Sequence, residues 1–74
     1  MAITAIRRIA SLERMRASVN GNPRYRVLFE DGTMSTTSPD ASVAWGLENP
    51  EYKNVDVKVT YERGEIIYVN PIKE

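Results

Sequence analysis

Strict alternation of apolar and polar residues marks the last third of the chain. Between residues 55 and 62 every second position is apolar, at Val55, Val57, Val59 and Tyr61. This period of two is typical of a β-strand with one buried face. Arg63-Gly64 then indicates a turn, residues 65–69 return as a strand, and Pro71 ends it. The last third is therefore predicted to be a β-hairpin.

The same period of two appears earlier, over residues 24–30. The side chains predicted to face the core there are Tyr25, Val27 and Phe29. Asp31-Gly32 supplies the positive φ angles of a tight hairpin turn, and residues 33–37 follow as a short strand rich in threonine. A preceding turn is predicted at residues 18–23, which contain Asn20-Gly21 and end in a proline.

The first fifteen residues carry an ambiguous pattern. Ile6, Ile9, Leu12 and Met15 recur at nearly helical spacing, but Ile3, Thr4, Ile6 and Ile9 also suit a twisted strand. Periodicity alone does not separate the two in so short a segment. A strand over about residues 3–12 is favoured, because the sheet formed by the later strands needs a further partner.

A helix is predicted over residues 39–48. Ser38 can cap it, Pro39 suits the first helical position, and Asp40 suits the positive end of the helix dipole. Ala44 and Leu47 form its inward stripe, and Asn49-Pro50 ends it.

The resulting order is β-β-β-α-β-β in one domain spanning residues 1–74, a mainly β (α+β) chain. This order matches a small five-stranded barrel of the oligonucleotide/oligosaccharide-binding (OB-like) type, in which a helix lies between the third and fourth strands. An SH3-like barrel with a shorter helical turn is the alternative.

Composition limits the chemistry that this domain can carry. The 74 residues include no cysteine and no histidine, which removes disulfides, thiol nucleophiles, imidazole bases and the usual zinc ligands. The carboxylates fall in turns or on polar strand faces, and the serines have no histidine partner. We therefore expect no enzyme activity, no catalytic residues, no metal site, no cofactor and no small-molecule substrate.

The charge is balanced overall but unevenly placed. The first 26 residues hold six arginines and one glutamate, a net charge of +5, and the remainder carries −5. The simpler interpretation is a solvated surface with ion pairs to the acidic remainder. The alternative is a single-stranded nucleic-acid-binding face, whose residues would be Arg7, Arg8, Arg24, Arg26 and Lys58.

Protein binding is the function that the sequence favours. Residues 66–69 are apolar on both strand faces, and simple alternation places Ile66 with Tyr68 on one face and Ile67 with Val69 on the other. A small barrel buries only one of these faces, and the face with Ile66 and Tyr68 is predicted to contact a protein partner or a second copy of the chain. Trp45, at the flank of the helical stripe, is a further candidate anchor.

Three stretches stand out: residues 18–25, residues 29–33, and residues 39–52, the last with Trp45-Gly46-Leu47-Glu48-Asn49-Pro50 at its centre. Together they resemble small uncharacterised proteins encoded by bacteriophages of actinobacteria and by related prophages. The resemblance implies a phage or prophage origin and action in the host bacterial cytoplasm. A cytoplasmic location also fits the absence of cysteine and of any apolar run near the roughly 20 residues that span a bilayer.

Overall fold

A computed structural model describes residues 2–17, 19, 21–39 and 41–72. For Ser42 it describes the backbone but not the side chain. The described strands are β1 (Ile3–Met15), β2 (Arg24–Phe29), β3 (Met34–Thr36), β4 (Asp56–Glu62) and β5 (Glu65–Pro71). They form one antiparallel sheet in the order β3-β2-β1-β4-β5. The mainly β prediction is confirmed.

The long strand β1 is shared by the two halves of the sheet. Its first part, Ile3–Arg8, pairs with β4, whereas its second part, from Ile9 to Met15, pairs with β2. The edge strands approach each other at one bridge between Thr37 and Ile66, but the sheet is not closed into a barrel. The predicted OB-like or SH3-like barrel is therefore not confirmed.

The inner face of the sheet carries the core. Its buried side chains are Tyr25, Val27, Phe29, Ala44, Leu47, Val57, Val59, Ile66 and Val69. Thr37 is also completely buried, and its Oγ1 accepts a hydrogen bond from the Tyr25 backbone N–H at 3.0 Å. This bond satisfies a backbone donor that would otherwise be costly to bury.

The strand interpretation of the first residues is correct, and the strand is longer than predicted. A β-bulge between Ile9 and Ser11 inserts one residue opposite β2. It places Ile9 opposite Phe29 and Leu12 opposite Val27, so both face inward although they are three residues apart. The bulge explains why a strand shows nearly helical spacing.

The α-helix predicted over residues 39–48 is not observed. Two 3-10 helices, Ser42–Trp45 and Pro50–Tyr52, lie between β3 and β4. Gly46 follows the first with a non-helical φ of −115°, and Ala41 precedes it without a side-chain capping bond. Residues 41–53 are called the 3-10 segment below.

Some local predictions fall outside the described residues. Ser18, Asn20 and Asp40 belong to this group, so the first turn and one helix-start residue stay predictions. Gly32 and Gly64 do have positive φ angles of 89° and 80°, as the turn pattern around them predicts.

Candidate protein-binding surface

The half-sheet β1-β4-β5 has one face that points away from the core, called the outer face below. The register places Thr4, Thr60 and Tyr68 in one row across it, and Ile6, Lys58 and Asn70 in the next. A third row contains Arg8 and Asp56. Val57 and Val59, which alternate with these positions on β4, are completely buried on the other face.

Two large apolar side chains on the outer face are mostly exposed. Tyr68 is 58% exposed and Ile6 is 59% exposed, and they lie diagonally across β4. Lys58 and Thr60 lie between them. Exposed aromatic and aliphatic side chains on the same face, with polar residues between and around them, are typical of a protein-binding surface.

Ile66 does not belong to this surface, so its prediction as an exposed anchor is wrong. It is completely buried, together with Val69, whereas Tyr68 is exposed and Ile67 is half-buried. The cause is a second β-bulge, because Tyr61 pairs with Ile66 while Thr60 pairs with Tyr68, which leaves Ile67 as the extra residue. The bulge shifts the alternation by one position.

Trp45 is exposed but lies elsewhere. It is 67% exposed, and its indole N–H donates a hydrogen bond to the Asn22 side-chain oxygen at 3.1 Å. It belongs to the 3-10 segment, whose Ala44 and Leu47 pack on the inner face of the sheet. The structure therefore does not bring Trp45 and Tyr68 onto one surface.

Ile6 is the surface residue that the sequence interpretation missed. Its spacing to Ile9 and Leu12 is nearly helical, so the sequence pattern did not separate Ile6 from these two residues. Ala5, Arg7 and Ile9 are the residues that point inward along this part of β1, with partners Val59, Val57 and Phe29. Strict alternation starting from Ile9 would have assigned Ile6 to the exposed face.

The four candidate arginines each form an ion pair. Arg7 pairs with Asp31, Arg8 with Asp56 at 3.2 Å, Arg24 with Glu65 at 2.9 Å, and Arg26 with Glu13 at 3.5 Å. They do not share one face, because Arg7 points inward and Arg8 points outward. Lys58 takes part in none of the ion pairs of the described chain.

Arg7 is held against the core. Its guanidinium lies 5.6 Å from the centre of the Phe29 ring and 6.0 Å from that of Tyr61. It also donates a hydrogen bond to Thr33 at 2.9 Å. Hydrogen bonds from Thr33 to Asp31, and then the Arg7 charge, lower the pKa of the Asp31 carboxyl.

An open cleft of about 430 Å³ lies between β1 and the 3-10 segment. Its lining residues are Ile9, Ala10, Ser11, Leu12, Leu47, Glu48, Tyr52, Lys53 and Asn54. The Tyr25 hydroxyl donates a hydrogen bond to Glu48 at 2.6 Å, and this bond, with burial of the ring, raises the pKa of Tyr25. Burial followed by the nearby Glu51 charge raises the pKa of Tyr52.

Neither a metal cluster nor a membrane-spanning helix occurs in the described ranges. No three acidic side chains there lie together in a way that could hold a metal ion. No helix there combines the length and the apolar character that crossing a bilayer requires.

Comparison with known proteins identifies no similar protein. The chain matches no protein-family model, no curated protein and no solved structure.

Proposed function

We propose that the protein is a non-catalytic binding module that acts by protein–protein interaction through its outer face, with a second copy of the chain as the first partner to test. The observation that carries this proposal is the exposure of Tyr68 and Ile6 on the same face of the sheet. Burying a side chain of this size contributes about 1.5–3 kcal/mol relative to leaving it in water. Two such anchors supply a useful part of a moderate affinity.

The charges around these anchors support a second copy as the partner. Arg8, Asp56 and Lys58 place both signs on the outer face within two neighbouring rows. A two-fold interface brings the same patch together from both copies, so a patch with both signs can pair with itself. A face of one sign would repel its copy.

We also propose a fold type and a biological setting for the protein. The division of β1 between two half-sheets and the Thr37–Ile66 bridge support a curled sheet related to the OB-like type, with the SH3-like type as the alternative. The resemblance to actinobacterial phage proteins supports an accessory role in the host bacterial cytoplasm.

Sedimentation over a range of protein concentrations tests self-association. We expect a monomer–dimer equilibrium that Tyr68→Glu shifts to the monomer, because the carboxylate would be desolvated at the interface. Val19→Glu is the matched control, since it adds the same charge at a fully exposed loop position. A monomer at every concentration would contradict self-association and leave a foreign protein as the partner for this face.

The alternative proposal is single-stranded nucleic-acid binding. It is favoured by one observation, the position of the exposed Tyr68 ring near Lys58 on the outer face, where a base could stack beside a cation. Labelled single-stranded DNA titrated at two salt concentrations distinguishes the two functions, because phosphate contacts weaken steeply with salt. No binding at low salt would exclude this alternative.

A further inference from the structure

The second half of β1 has one free backbone edge. β4 pairs with β1 only over Ile3–Arg8, and a bridge from Lys53 reaches Ile9. Beyond that point β2 occupies one side of β1, and the described chain places no strand on the other. Such an edge is a template for an added strand.

The pairing pattern shows which backbone groups face this edge. The Phe29 N–H donates a hydrogen bond to the Thr33 carbonyl, and the Tyr25 carbonyl accepts one from the Thr37 N–H. The backbone groups of these alternate residues of β2 therefore face β3. The other residues of β2 therefore face β1, where their partners are Ser11, Glu13 and Met15. Because antiparallel ladders alternate, the N–H and C=O groups of Leu12 and Arg14 point to the free edge.

The free edge borders the cleft described above. Leu12 contributes to its lining together with Leu47 and Tyr52 from the 3-10 segment. Its volume of about 430 Å³ lies within the range of small binding pockets, about 300–1,000 Å³. A strand laid along Leu12 and Arg14 would direct alternate side chains to the side of the sheet on which this cleft opens.

The side chains along the edge define what the added strand should carry. Leu12 pairs with Val27 and Arg14 with Tyr25, so both point to the inner side of the sheet. Directly opposite residues share a face, so an added residue opposite Leu12 should be apolar and one opposite Arg14 acidic. Lys53, which lines the cleft, adds positive charge nearby, whereas the Glu48 carboxylate in the same lining is already bonded by the Tyr25 hydroxyl.

We propose that the free edge of β1 binds an extended peptide segment of another protein by strand addition, with an acidic residue two positions before an apolar one. The peptide runs antiparallel to β1, its acidic residue opposite Arg14 and its apolar residue opposite Leu12. Main-chain hydrogen bonds supply affinity, and the cleft and Arg14 supply selectivity. This surface is separate from the outer face that contains Tyr68.

The probe is a capped seven-residue peptide, Ser-Thr-Glu-Thr-Val-Thr-Ser, titrated into the full-length protein with amide hydrogen exchange read by NMR. The amides of Leu12 and Arg14 are expected to exchange fast in the free protein and at least about tenfold more slowly at saturation. The amides of Ser11 and Glu13, which already bond β2, are the internal control and should change little.

Two modified peptides separate backbone pairing from simple apolar or ionic contact. N-methylation of the glutamate and valine nitrogens removes the peptide donors and should weaken binding about tenfold or more. Lysine in place of glutamate should weaken it severalfold through repulsion by Arg14. Equal binding of the N-methylated peptide would overturn strand addition.

Protein variants give a matched pair at one position. Arg14→Ala keeps the backbone N–H and removes the charge, whereas Arg14→Pro also removes the N–H. We expect weaker binding for Arg14→Ala and further loss for Arg14→Pro, after circular dichroism shows that each is folded. The peptide modifications keep the test decisive if Arg14→Pro does not fold.

The outcomes also separate this inference from the proposed function. Tyr68→Glu should bind the peptide as the unmodified protein does, because its side chain lies on the outer face. Absence of peptide binding at millimolar concentration would overturn strand addition while leaving self-association intact. Protection of Leu12 and Arg14 that rises with protein concentration alone would assign the edge to a second copy and overturn the proposal.

Discussion

At the scale of single residues, Arg7 links the first strand to the β2–β3 hairpin. Its side chain is only 23% exposed, contacts the Phe29 and Tyr61 rings, and pairs with Asp31 across 24 residues of chain. Its Nε is buried and has no partner among the described residues, a cost that the ring and ion-pair contacts must offset. Arg7 therefore acts as a structural residue of the core.

Replacing Arg7 by alanine should lower the free energy of unfolding by about 2 kcal/mol, because cation–π contacts, hydrogen bonds and stem packing are lost together. Arg8→Ala is the matched control, since the exposed Arg8–Asp56 pair should contribute less than about 1 kcal/mol. Urea unfolding of both variants measures the difference. Equal effects would contradict the structural role of Arg7.

Tyr25 makes stability sensitive to alkaline pH. Its pKa in the folded protein lies above the ordinary value of 10.0, chiefly because its hydroxyl bonds the Glu48 carboxylate. The folded state therefore holds this proton more tightly than the unfolded state. The resulting stabilisation is complete below pH 10 and is lost as the pH rises through the folded pKa.

We expect the free energy of unfolding to fall less steeply above about pH 10 in Tyr25→Phe than in the unmodified protein. Glu48→Gln should also make the free energy of unfolding fall less steeply, because it removes the carboxylate that bonds the Tyr25 hydroxyl. Denaturant unfolding at several alkaline pH values measures these slopes. Identical slopes in all three proteins would show that the Tyr25–Glu48 bond does not control the response.

At the scale of elements, two β-bulges explain where the sequence pattern succeeded and where it failed. β2 and β4 alternate without interruption on their buried faces, and the buried positions Tyr25, Val27, Phe29, Val57 and Val59 were predicted from alternation alone. β1 and β5 each contain a bulge, and no residue of the local sequence predicts either bulge. Period-two reasoning therefore misplaced Ile66, and the nearly helical spacing of Ile6, Ile9 and Leu12 across the β1 bulge hid the exposure of Ile6.

The α-helix predicted between β3 and β4 was wrong for a different reason. Its cap and stop residues predicted an α-helix, but Gly46 and Asn49-Pro50 divide the segment into two short 3-10 helices. Asn49 caps the second one, because its side chain accepts a hydrogen bond from the Glu51 N–H at 3.1 Å. The inward positions Ala44 and Leu47 were nevertheless predicted correctly.

The bulge in β5 predicts unequal effects of two neighbouring substitutions. Ile66→Val removes a methylene from a completely buried site and should cost about 0.5–1.5 kcal/mol of unfolding free energy. Ile67→Val, at the half-buried extra residue, should cost clearly less. Thermal and urea unfolding provide the measurement. A larger effect at Ile67 would contradict the register of β5.

At the scale of the whole molecule, ion pairs within the chain neutralise part of the uneven charge of the sequence. Of the four ion pairs among the described residues, three join the basic first 26 residues to the acidic remainder: Arg7–Asp31, Arg8–Asp56 and Arg24–Glu65. The simpler of the two sequence interpretations, ion pairing between the two parts, agrees with this arrangement. Apolar exposure on the outer face is therefore the stronger basis for a functional proposal.

The candidate site was only partly predictable from the sequence. Tyr68 was identified because the last strand has more apolar side chains than one small core can bury, and it is exposed. Its neighbours on the outer face come from β1 and β4, which are distant in sequence, so their rows depend on register. Register follows from the bulges and from β1 being shared, neither of which is visible in a single sequence.

The most direct test of the binding account is the concentration dependence of backbone amide shifts in NMR spectra. Between roughly 20 µM and 1 mM protein, a range that spans moderate affinities, we predict progressive shifts along Thr4–Arg8, Asp56–Thr60 and Tyr68–Asn70. Amides around Trp45 should not move, and Tyr68→Glu should abolish the changes. Spectra that do not depend on concentration, or changes confined to the Trp45 side, would contradict self-association through the outer face.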